Sequence, residues 1–112
     1  MQLINRTHIP NTLVIAIIKD LGLASHDIIL KLEVGDYPFN GRLRRDNTTY
    51  LISIDTQASI STLAHELKHV EQHVNGLTEW IQADKQVSQY KDQWHELEAY
   101  EYGMVWESKF VA

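Results

Sequence analysis

The chain has 112 residues, 44% of them hydrophobic and 22% charged, and a formal net charge of −5. That length suits one domain spanning residues 1–112, and the composition excludes a disordered or fibrous chain. With no cysteine there is no disulfide framework, thiol nucleophile or thiolate zinc finger, and the acidic balance argues against a nucleic-acid partner.

Nothing near the N-terminus has the layout of a secretory signal. The apolar run Leu13–Ile18 stops at Lys19-Asp20, far short of the roughly 20 apolar residues that span a bilayer. No membrane association is expected, and the absence of cysteine is consistent with a cytoplasmic location.

Pro10 and Gly22 bracket a first helix, with Leu13, Val14, Ile15, Ile17, Ile18 and Leu21 forming its broad apolar face. Asp27–Val34 alternates, with Ile28, Leu30, Leu32 and Val34 on one side, which predicts a half-buried strand. Gly35–Gly41 reads as a loop. Arg42–Arg45 and Thr49–Asp55 then pair as a hairpin about Asp46-Asn47, with Tyr50, Ile52 and Ile54 on one face. A long helix is predicted over Ser59–Asn75, stopped by Gly76. Leu77–Tyr90 has only weak helical periodicity, and a last helix runs from Asp92 to Phe110. The fold class is therefore α+β, with a small antiparallel or mixed sheet.

The chemistry-bearing residues are His65-Glu66-Leu67-Lys68-His69, an HExxH pattern on the long helix. Histidines four apart lie about 40° apart around a helix and one turn apart along it, so both imidazoles can reach one metal ion. Glu66 is offset from that pair and suits a general base acting on water rather than a ligand. Leu63, Leu67 and Val70 supply the apolar side that seats the helix on the sheet.

A catalytic zinc needs a third protein ligand and an open position. The last helix offers His95-Glu96-Leu97-Glu98-Ala99. Glu96 and Glu98 project about 200° apart, so only one can face the metal. Ala99 beside Glu98 favours close helix approach there. Glu98 therefore ranks first as third ligand, Glu96 second and His95 third. His95 and Glu101 also flank Glu98 as candidates for holding a ligand in place.

Other polar and aromatic residues carry weaker signals. His73 sits near the angular position of Glu66, where a core or solvated histidine is the ordinary reading, and Gln72 reads as structural. Trp80, Trp94, Tyr100, Tyr102 and Trp106 fit core or interface packing. Tyr102, one turn beyond Glu98, is within reach of the site as an oxyanion donor. Arg42, Arg44 and Arg45 read as a solvated hairpin face. His8 and His26 fall in loops.

His65–His69 together with Trp94-His95-Glu96-Leu97-Glu98-Ala99-Tyr100 resembles the small gluzincin-type zinc metallopeptidases, compact zincin-like domains of bacteria and their phages. The resemblance covers about half the chain, from Tyr50 to Tyr102. It implies a zincin-like fold, one Zn2+ ion, a peptide or protein substrate and peptide-bond hydrolysis. His65, His69 and Glu98 would be the ligands and Glu66 the general base. The chain is too short for the second subdomain that supplies an oxyanion residue in larger gluzincins. Two other functions fit the same residues: an inactive zincin-like protein-binding module of a phage or mobile-element system, and a metal that only staples two helices.

Overall fold

The computed structural model describes residues 1–76 and 94–109. In chain order it has β1 (Gln2–Arg6), α1 (Asn11–Asp20), a short 3-10 turn (Leu23–Ser25), β2 (Ile29–Gly35), β3 (Gly41–Asp46), β4 (Thr49–Asp55), α2 (Ile60–Val74) and α3 (Trp94–Ser108). Among the described residues this is an α+β fold with three helices and one mixed four-stranded sheet of order β1-β2-β4-β3. The strands β1, β2 and β4 run parallel, and β3 is antiparallel to β4 at one edge.

The first helix, the central strand, the hairpin and the HExxH helix all form where the hydrophobic periodicity puts them. Pro10 lies one residue before the first turn, with φ −59° and ψ 144°, and its carbonyl accepts from Leu13 and Val14. Gly22 ends α1 at φ 70°, a backbone conformation glycine adopts without strain. Asn47 takes φ 56° in the hairpin turn, as asparagine tolerates.

The strand β1 is an addition to the elements read from sequence. Its five residues, Gln2-Leu3-Ile4-Asn5-Arg6, become a strand by parallel pairing with β2, Leu3 opposite Leu30 and Asn5 opposite Leu32. Asn5 then secures the turn into α1, its amide donating to the Ile9 carbonyl at 2.9 Å and to Asn11 Oδ1 at 2.7 Å. The predicted segment Leu77–Tyr90, and Trp80 within it, lie outside the described residues.

One side of the sheet carries the core. Leu30, Leu32, Tyr50, Ile52 and Ile54 meet Val14, Ile17 and Ile18 of α1 and Leu63, Leu67 and Val70 of α2. Each such side chain withdrawn from water contributes about 1.5–3 kcal/mol. The opposite side carries Lys31, Leu51 and Arg44 in one row and Glu33, Ser53 and Arg42 in the next.

The helix α3 packs on α2 along a stripe of His95, Ala99, Gly103 and Trp106. Gly103 marks the closest approach: a Cβ there would lie 2.5 Å from the Ser61 carbonyl oxygen. No helix among the described residues is long and apolar enough to cross a membrane.

Candidate metal centre

Three faces of α2 have three neighbours. Leu63, Leu67 and Val70 turn to the sheet, and His65, His69 and Gln72 turn to α3. Glu66 and Thr62 turn to the start of β3, where a Cβ on Gly41 would lie 2.7 Å from Thr62 Cγ2 and 3.3 Å from Glu66 Oε2. The glycine at position 41 thus lets the edge strand pass directly over Glu66.

Both imidazoles converge on one carboxylate of α3. Glu96 Oε1 lies 2.8 Å from His65 Nε2, and Glu96 Oε2 lies 3.1 Å from His69 Nε2. The three side chains form a group able to hold a metal ion, each offering one ligand atom, with those atoms within 4.8 Å of one another. His69 is 2% exposed, whereas His65 and Glu96 keep 17% and 15% of their side-chain surface in contact with solvent. The group is therefore anchored on its inner side and open on its outer side. Two imidazoles and one carboxylate are a donor set that suits zinc.

Glu98, ranked first from sequence, points elsewhere. Its Oε1 accepts from Gln72 Nε2 at 2.8 Å and lies 3.8 Å from Lys68 Nζ, and nearly half of its side chain is exposed. The physical reason is rotational. Buried Ala99 marks the close face of α3, and on a helix it shares that face with residues three or four away rather than with its neighbour. Glu96 is three residues before Ala99; Glu98 is adjacent to it and turned about 100° away.

Tyr102 does not reach the centre. Its hydroxyl donates to Asp20 Oδ2 at 2.7 Å, and burial together with that bond raises its pKa well above the usual phenol range. Tyr100 stands nearer, its ring 6.1 Å from that of His65 in an edge-on arrangement. The signal for it was the same one-turn spacing, applied to Glu96 instead of Glu98.

A cavity of about 580 Å3 opens beside the group, lined by Asn40 and Gly41 of the β3 approach, Thr62, His65 and Glu66 of α2, and Glu96, Tyr100 and Met104 of α3. Glu66 is 9% exposed at its wall. Burial opposes the charged form of His69, but the Glu96 bond, the Glu66 charge and the Gln72 bond outweigh it and hold its pKa above the ordinary imidazole value.

No family model matches the chain, and neither does any curated protein or solved structure. The chemistry of the site therefore rests on its own residues.

The remaining histidines have other roles. His73 is buried, its Nδ1 2.5 Å from the Tyr50 hydroxyl oxygen in a hydrogen bond. Burial and the Arg45 charge lower its pKa, while burial raises that of Tyr50 against the opposing effect of Arg45. His8 Nε2 lies 3.1 Å from the Ala58 carbonyl oxygen. His95 is buried, its ring 6.2 Å from that of His69. On the hairpin, Arg42, Arg44 and Arg45 are exposed, with the Arg42 guanidinium 4.5 Å above the Phe39 ring.

Proposed function

We propose that the chain is a zinc-dependent peptidase of zincin-like architecture, with His65, His69 and Glu96 holding the ion and Glu66 as general base. The observation that carries this reading is the convergence of three metal-type donors beside a carboxylate at the wall of an open cavity. A zinc ion held there would supply Lewis acidity, lowering the pKa of a water and polarising a carbonyl.

The protein's own residues would then do the rest. Glu66 accepts a proton from water at its carboxylate and returns it to the departing amine. Glu96, adjacent to both neutral imidazoles, would offset the charge of an ion they hold and sets their separation. Tyr100 offers a hydroxyl on the α3 wall as a donor to a carbonyl oxygen. The strand β3 lies at the sheet edge and begins at the cavity, so its outer backbone groups offer an extended peptide a place to add as a strand.

Among the described residues three donors converge beside a cavity, an arrangement that favours catalysis over a purely structural ion, which takes four. The test is Glu66→Gln in a proteolysis assay with zinc-loaded protein. Zinc uptake should persist while cleavage falls by at least a hundredfold. Undiminished cleavage would remove Glu66 as the base.

A further inference from the structure

The two ring nitrogens of a ligating histidine are not equivalent. If Nε2 is to hold a metal, Nδ1 must carry the proton, and something must accept it. For His69 that acceptor is Gln72 Oε1, at 2.9 Å. The side chain of Gln72 is 5% exposed, so no bulk water competes for the bond.

A glutamine amide has a donor end and an acceptor end and can serve a ring from either. Here its orientation is determined. Gln72 Nε2 donates to two acceptors on α3, the His95 carbonyl at 2.9 Å and Glu98 Oε1 at 2.8 Å. Turning the amide over would set its oxygen against two oxygens and its NH2 group against the Nδ1 proton, so all three contacts would become repulsive. Glu98 is itself held by Lys68, whose Nζ lies 3.8 Å from Glu98 Oε1 and 2.7 Å from Glu71 Oε1.

We infer that Gln72 is a positioning residue that fixes the His69 ring with Nε2 turned to the metal site, and that Glu98 acts behind it by setting the direction of the Gln72 amide. The inference rests on the reading of His65, His69 and Glu96 as a zinc site. It gives Glu98 a function one step removed from coordination. It also explains why α2 and α3 are joined by a buried polar bridge at this level rather than by apolar packing alone: the same amide that aims the ring ties the two helices together.

The test compares zinc dissociation constants, measured by competition with a chromogenic chelator, for wild type, Gln72→Met and the exchange variant Gln72→Glu with Glu98→Gln. Methionine matches glutamine in shape but accepts no strong hydrogen bond. The exchange returns an acceptor to His69 and a donor to position 98, but leaves the His95 carbonyl without its donor. Gln72→Met should weaken zinc binding about 10–100-fold, and the exchange variant should recover part of that loss. A residue that only filled space would give the reverse order, with methionine tolerated and the exchange harmful. Zinc affinity of Gln72→Met within about twofold of wild type, or an exchange variant no better than Gln72→Met, overturns the inference. Wild-type protein that takes up no zinc overturns the site reading itself, a result that the chelator titration registers before any variant is made.

Discussion

Gly103→Ala sets two effects of opposite sign against each other, and the structure decides between them. In a helix interior, alanine is more favourable than glycine by about 1 kcal/mol. At this position the added Cβ would lie 2.5 Å from the Ser61 carbonyl oxygen, 3.3 Å from its carbon and 3.5 Å from His65 Cβ. Ordinary carbon–oxygen contacts begin near about 3.3 Å, so the helices must separate by several tenths of an ångström against backbone that cannot swing aside. Overpacking of this kind costs about 1–3 kcal/mol. The net expectation is a loss of about 1 kcal/mol, or roughly 4–8 °C in melting temperature for a domain of this size. The displacement falls two turns from Glu96 on the same helix, so the zinc-loaded protein should lose more than the metal-free protein. Thermal unfolding followed by circular dichroism, with and without zinc, measures both. A melting temperature that rises, as helix propensity alone demands, would refute the close approach of α2 and α3.

Glu96→Ala should abolish zinc uptake measured by elemental analysis, whereas Glu98→Ala should retain one ion per chain with weakened affinity; equal loss in the two would contradict the geometry. Zinc should raise the melting temperature of wild type and leave that of Glu96→Ala unchanged, because in the proposed site Glu96 is the described α3 residue that would join the ion to α2. The His73 ring is hydrogen-bonded to Tyr50, and burial together with the Arg45 charge lowers its pKa in the folded protein. Its contribution is therefore fully present above the ordinary imidazole value and is lost as pH falls through the lowered one. Urea midpoints from pH 7.5 down to pH 5 should fall less steeply for His73→Gln than for wild type, and parallel slopes would rule this out.

What the sequence determined by itself was everything governed by local period. The 3.6-residue repeat of α1 and α2, the alternation in β2 and β4 and the turn at Asp46-Asn47 are each contained within a few neighbouring residues, so each was legible. The i,i+4 spacing of His65 and His69 is of the same kind: one helix suffices to bring the two rings together. The tertiary structure decided three matters. The strand β1 exists because β2 supplies its hydrogen-bond partners, and five residues alone carry no such signal. The glutamate that faces the histidines depends on the rotation of α3 about its own axis, set where Ala99 and Gly103 seat against α2; this turned Glu96 inward and sent Glu98 to Gln72. The same rotation brought Tyr100 to the cavity and Tyr102 to Asp20. A helix has one period but many possible rotations against its neighbour, and only the packing of the whole chain selects among them.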